Sequence, residues 1–255
     1  MTSMDADVKH NRSAWEAASE KHVREYDDLL RQAAEHSSLL DRERELLLPI
    51  LRSSPIVVHA QSGHGLEDIA LVAAGARMVT GVDFSSVAAG AAQRRADDLG
   101  VPCRYVIGEV PGVPLRDGCA DLLYTGKGAL IWMPDLTAWA NDLVRLVRPS
   151  GHLFVYEQHP AVPLWTWDED KARVRPDRSY FARRHVNDTF PGRGAVEWQW
   201  TLGEIVNVLV SAGLQVRYLA EYPEPFWQPD GVTAAAWQGA LPNSFALLAR
   251  KPGSS

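Results

Sequence analysis

The sequence predicts an α/β fold, doubly wound about a mostly parallel sheet, on three observations. First, residues 55–85 read as strand, turn, helix and strand. Ile56-Val57-Val58 is a β-branched run suited to a buried strand, and Ser62-Gly63-His64-Gly65 is a tight turn. Leu66, Ile69, Ala70 and Ala73 then recur at helical spacing, Gly75 fits the helix end, and a second apolar strand, Met78 to Val82, stops at Asp83. Second, the alternation continues. Ser85 caps a helix running to Gly100, Cys103–Ile107 is a third strand, Asp121–Tyr124 a fourth, and Met133-Pro134-Asp135 opens a helix ending near Ser150-Gly151. Strand five, His152–Glu157, follows. Third, glycines and acids gather at strand C-termini, where open α/β sheets bind ligands.

Composition bounds the reading. The chain has 255 residues, enough for one large domain or a domain with a cap, and 46% of it is hydrophobic, ordinary for a globular core. A formal net charge of −6 argues against nucleic acid as a partner. Cys103 and Cys119 lack metal-site spacing and read as reduced thiols. The acidic start, Met-Thr-Ser-Met-Asp-Ala-Asp, has no apolar signal core, and no run reaches the ~20 apolar residues of a membrane span, so a soluble, cytoplasmic protein is expected.

The first turn decides the ligand. Glycine at the turn presents backbone N–H groups at a helix N-terminus, and Asp83, 20 positions beyond Gly63, can take both hydroxyls of a ribose. A dinucleotide fingerprint requires a third glycine where Asp68 stands, a carboxylate unfavourable to pyrophosphate, and no Gly-Lys-Ser/Thr phosphate loop follows a strand. The combination fits a cofactor with a ribose and no pyrophosphate. S-adenosyl-L-methionine answers that description.

With these motifs in hand, the chain resembles the class I, Rossmann-like S-adenosylmethionine-dependent methyltransferases, closely over roughly residues 50–160 and loosely elsewhere. The family's first motif is a hydrophobic strand, an acid and G-x-G-x-G; here His59 stands at the acid, Gln61 at the first glycine, and Gly63 and Gly65 at the other two. The second motif is Val-Thr-Gly-Val-Asp83-Phe84-Ser85. The third is Tyr105-Val-Ile-Gly108-Glu109-Val110, with Glu109 at the usual aspartate. The fourth is Ala120-Asp121-Leu-Leu-Tyr-Thr125-Gly126-Lys127-Gly128, and the fifth runs from Leu143 to Gly151 and into the next strand. The resemblance implies a seven-stranded sheet whose last strand is antiparallel. It implies a cofactor site of Trp15, Tyr26, Ala60, Gln61, Ser62, Gly63, Gly65, Asp83, Phe84, Ser85, Gly108, Glu109, Val110, Thr125, Gly126 and Lys127. Asp83 would hold the ribose, Phe84 the adenine face and Glu109 the adenine amino group.

The flanks are organised around that core. Residues 1–10 read as disordered and 11–51 as two helices, the first capped by Asn11 or Ser13 with Trp15, Ala18, His22 and Tyr26 along one face. The resemblance makes residues 1–51 a helical lid over the 52–160 cofactor core, with Trp15 and Tyr26 near the sulfonium. Residues 161–200 form a substrate-side insertion without clear periodicity, and 201–255 complete the sheet. Thr201-x-x-Glu204 is a capping box opening a helix that Gly213 ends, and Leu214–Leu219 and Phe245–Ala249 are the last strands.

Methyl transfer from a sulfonium is an in-line displacement, so the protein chiefly sets distance and alignment. A neutral nucleophile can also require a base. His159, Glu157 and His185 are the candidates, His159 first; a turn-fixing role is the competing reading. Trp165, Trp167, Trp198, Trp200 and Trp227 are candidates for an aromatic substrate pocket, suited to a flat apolar molecule or a cation, or else for anchors of the insertion. No metal set is expected: His59 and His64 have neither His-x₃-His spacing nor a Cys pair with them. The leading reading is a methyltransferase acting on a small molecule. Two others remain: a cofactor-consuming enzyme that cyclises S-adenosylmethionine and releases methylthioadenosine, prompted by His59 and Gln61, and a non-catalytic cofactor-binding module. A nicotinamide enzyme lacks its third glycine. Neither the acceptor nor the oligomeric state is legible.

Overall fold

The computed structural model describes residues 3–36, 38–166, 173–187, 194–226 and 240–253. Three helices lead the chain: α1 (Ser3–Arg24), α2 (Tyr26–Ala34) and α3 (Asp41–Leu51). The doubly wound core follows, as β1 (Ile56–Ala60), α4 (Leu66–Ala73), β2 (Met78–Asp83), α5 (Ser86–Asp98), β3 (Cys103–Ile107), β4 (Ala120–Gly126), α6 (Leu136–Leu146) and β5 (Val147–Gln158). A small antiparallel hairpin comes next, β6 (Arg184–Asn187) with β7 (Ala195–Trp198), then α7 (Leu202–Ser211), β8 (Gln215–Tyr222) and β9 (Ser244–Arg250).

The main sheet is seven-stranded, in the order β3-β2-β1-β4-β5-β9-β8. The pairs β1–β2, β1–β4, β2–β3 and β4–β5 are parallel, whereas β9 runs antiparallel to both β5 and β8. This is the predicted architecture. The order reverses at β1, so the crevice beyond the C-termini of β1 and β4 is the switch point at which such sheets take ligands.

Apolar layers cover both faces. On one, Trp139 and Leu143 of α6 and Ile205 and Leu209 of α7 pack against Leu123, Val155 and Leu247. On the other, Leu47 and Leu51 of α3 and Ile69 of α4 pack against Leu122, Phe154 and Ala246. Each central strand is therefore buried on both sides, which explains its continuous apolar composition. Local signals act as read: Ser85 and Asp135 accept the N–H of Ala88 and Ala138 at the starts of α5 and α6, and Thr201 and Glu204 form the expected reciprocal cap.

The N-terminal segment corrects the sequence reading. Residues 3–10 are helical rather than disordered, and three helices stand where two were expected. The reason is tertiary. Asp7 pairs with Arg184 of the hairpin at 2.9 Å, and Val8 faces the core cleft. Asn11 is no cap but a mid-helix residue. Its side chain donates to the carbonyl of Val196 at 2.5 Å and accepts the N–H of Val196 at 2.8 Å, satisfying the edge of β7.

Candidate active site

A cavity of about 380 Å³ opens beyond the C-termini of β1, β2 and β4, roofed by α1. Its size falls in the range that holds one drug-sized ligand. Turn glycines shape the floor. Gly65 starts α4 at φ +73°, and a Cβ there would stand 2.2 Å from the Tyr105 hydroxyl. Gly126 ends β4 at φ +148°, where a Cβ would meet the carbonyl oxygen of Tyr156 at 1.9 Å. Both positions therefore require glycine.

Asp83 is buried at the end of β2. Its Oδ2 accepts the N–H of Gly63 at 2.9 Å and its Oδ1 the N–H of Ser85 at 2.8 Å. Burial raises its pKa, with the two N–H bonds opposing. Each carboxylate oxygen has a second lone pair, so both can still accept from a diol. Phe84 and Glu109 line the cavity beside it. These features fit an adenosine: a fixed bidentate acceptor, an aromatic face and a second carboxylate. They do not fit a pyrophosphate, because Glu67 and Asp68 both occupy the first turn of α4 and Glu67 faces the cavity.

The deeper end is a buried charge network. Lys127 Nζ lies 3.0 Å from Glu43 and 3.1 Å from Glu67, and donates to the carbonyl of Ser38 at 2.6 Å. Burial works against ionising Glu67, but Lys127, with His59 and His64, outweighs it and holds the carboxyl at about 2. The same pairing lets Lys127 keep its proton in spite of burial. His59 Nδ1 lies 2.6 Å from Asp68 Oδ1, and its ring meets the Tyr124 ring edge-on. Tyr124 in turn donates to Glu43. The aromatic wall at the mouth is Trp15 and Trp132, 5.9 Å apart, beside Met133 and Pro134.

Eleven of the expected cofactor residues line this cavity: Trp15, Gln61, Ser62, Gly63, Asp83, Phe84, Gly108, Glu109, Val110, Gly126 and Lys127. Ala60, Gly65, Ser85 and Thr125 lie in its supporting backbone rather than its lining. Tyr26 is placed elsewhere. The helix breaks at Glu25, and Tyr26 begins α2, donating to Asp98 at 2.6 Å beneath the guanidinium of Arg94.

The three base candidates are also placed outside the lining. His159 Nδ1 accepts the N–H of Ala161 at 3.1 Å and its Nε2 lies 2.7 Å from Glu221. It fixes the turn after β5. Glu157 accepts N–H groups from Gly128, Ala129, Leu130 and Gln158, bracing the loop after β4 from behind. His185 pairs with Glu197 at 2.7 Å across the hairpin. Among the tryptophans expected at the substrate, Trp198 ends β7 of the hairpin and is buried. Trp200 donates to the carbonyl of Met133 at 2.9 Å beneath Arg183, and Trp165 bridges to Val174. None of the three lines the cavity. Trp167 and Trp227 lie outside the described residues. Among those described, no group of histidine, cysteine and acid side chains could hold a metal, and no helix is long and apolar enough to cross a membrane.

Sequence reasoning missed Arg12, Glu67 and Trp132. Glu67 carried a signal, as an acid beside Asp68 in the first turn of α4. Trp132 follows a strand whose end was already assigned to the site, in Leu130-Ile131-Trp132-Met133-Pro134.

Residues 57–151 match the methyltransferase-domain family. Among solved structures, an S-adenosylmethionine-dependent methyltransferase from Mesorhizobium loti is 20% identical, with a TM-score of 0.63 over 80% of this chain and 96% of that one. A geranyl diphosphate methyltransferase in complex with its diphosphate and sinefungin is 17% identical, with a TM-score of 0.59 over 82% and 77%. The cyclase SpnF is 16% identical, with a TM-score of 0.58 over 82% of each chain. Similarity at this level shows the fold. No curated protein matches the chain.

Proposed function

We propose, from the premise that this chain carries a methyltransferase domain of the class I, Rossmann-like S-adenosylmethionine-dependent family, that it transfers the methyl group of S-adenosylmethionine to a small molecule. One observation carries the reading: the buried Asp83 carboxylate, pinned by the N–H groups of Gly63 and Ser85, opens onto a cavity it shares with Phe84 and Glu109.

The cofactor, when bound, supplies an activated methyl on a sulfonium. The chain's own residues bind and align. Asp83 would accept both ribose hydroxyls, Phe84 would cover one face of the base, and Glu109 would accept from its amino group. Lys127, its charge taken up by Glu43 and Glu67, would fix the floor at the methionine end. Trp15 and Trp132 supply a tilted aromatic wall that excludes water and favours a flat, apolar acceptor. Residues 1–51 act as the lid on this reading. No base is assigned, because His159, Glu157 and His185 are all engaged in holding turns and strands. An acceptor already carrying a nucleophilic lone pair needs only distance and alignment.

The test is an acceptor screen with purified protein and S-adenosylmethionine, reading out S-adenosylhomocysteine. Acceptor-dependent release of that product supports the reading. Methylthioadenosine formed without any acceptor would replace it with cofactor cyclisation. Absence of cofactor binding in isothermal titration would end it.

A further inference from the structure

Arg12 lies on the face of α1 that roofs the cavity, with Val8, Asn11 and Trp15. Its Nη1 stands 2.5 Å from Glu109 Oε1. Its guanidinium lies over the Phe84 ring, 5.8 Å from the centroid. These two partners are the ones the proposed function allots to adenine: a ring to stack on, and a carboxylate to accept from the exocyclic amino group. A guanidinium is planar and carries its N–H donors at the edge of that plane. It can therefore make, from α1, both contacts that an aminopurine would make from the ligand.

We propose that Arg12 is the cavity's own stand-in for adenine, so that cofactor binding requires its displacement. The inference rests on the assignment of adenine to Phe84 and Glu109. Geometry supports displacement over coexistence: the guanidinium stands over the Phe84 ring, where the base would stack, and at the Glu109 oxygen its amino group would reach. The contact is also built to be broken. The two side chains are 53% and 59% exposed, so solvent and salt screen their attraction. A ligand that presents an N–H donor to Glu109 restores what the carboxylate loses, whereas a base with a carbonyl at that edge leaves it unpaired. Arg12 thereby favours an aminopurine over an oxopurine. The rest of α1 has its own anchors in the Asn11–Val196 pair and the hydrogen bond from Ser86 to Glu16, so release of Arg12 is a side-chain movement under a standing helix.

The test is isothermal titration of the full chain with S-adenosylhomocysteine, comparing wild type, Arg12→Ala and Asp83→Asn at low and high sodium chloride. Removing the competitor should tighten binding about three- to tenfold in Arg12→Ala, from loss of one exposed ion pair and one cation–π contact. Salt should tighten wild-type binding more than that of Arg12→Ala. Weaker or unchanged binding in Arg12→Ala overturns the proposal, since an arginine sandwiching the bound base would act in that direction. Wild type that does not bind, or Asp83→Asn that binds as wild type does, overturns the adenosine assignment and this inference with it. The Arg12 side chain is half exposed, and a thermal melt of the variant shows that the fold is intact.

Discussion

Asp83 concentrates the functional argument at the scale of single residues. Its two oxygens are held by backbone N–H groups before any ligand arrives, so its geometry is preorganised. Asp83→Asn replaces one acceptor oxygen by a donor that faces an N–H. The loss of a charge-assisted pair should weaken S-adenosylhomocysteine binding about tenfold to a hundredfold by titration calorimetry. His159 makes the opposite case. It follows a strand whose end points at the crevice, yet its Nδ1 accepts the N–H of Ala161 and its Nε2 lies beside Glu221. His159→Gln should lower the melting temperature and leave cofactor affinity unchanged. A fall in affinity with no change in melting temperature would return His159 to the site.

Among the elements, α1 is the one whose behaviour its own sequence explains least. Its apolar periodicity is weak, and its position depends on what it meets: Val196 through Asn11, Arg184 through Asp7, Trp132 through Trp15. Asn11→Ala leaves the N–H and carbonyl of Val196 without their partner, at a cost of about 1–3 kcal/mol. Hydrogen exchange should then speed up over α1 and β7 together while the core strands stay protected. Exchange confined to β7 would show that α1 is held by other means. By contrast, β1, α4 and β2 declare themselves locally, through β-branched runs, helical spacing and turn glycines, and the structure reproduces them nearly residue for residue. The capping box at Thr201 is legible for the same reason: both of its partners lie within one turn of chain.

Across the whole molecule, charge buried under the cavity links stability to pH. Glu67 is held at about 2 against an ordinary 4.5. Its folded value lies below its unfolded one, so its contribution is complete above about 4.5, shrinks as pH falls, and is gone by about 2. Asp83 and Glu157 are shifted upward by burial and act in the opposite sense, so the comparison has to be between two proteins. The gap in urea midpoint between wild type and Glu67→Gln should narrow as pH drops through that window. A gap independent of pH would mean that Glu67 is not paired as an anion with Lys127.

What the sequence determined by itself was the doubly wound sheet and most of the cavity-lining residues from Gln61 to Lys127. These sit on loops whose form follows from neighbours in the chain: a glycine for a turn, an acid at a strand end. Tertiary structure alone decided that Trp132 and Arg12 join Trp15, Phe84 and Lys127 at the cavity. Trp15 and Trp132 are 117 positions apart in the chain and Arg12 and Glu109 are 97 apart, and no local pattern encodes such a meeting. His159, His185 and Trp200 are engaged outside the cavity, with Glu221, with Glu197 across the hairpin and with the carbonyl of Met133. Packing chooses among surfaces brought together from remote segments, and that choice is made only when the chain has closed.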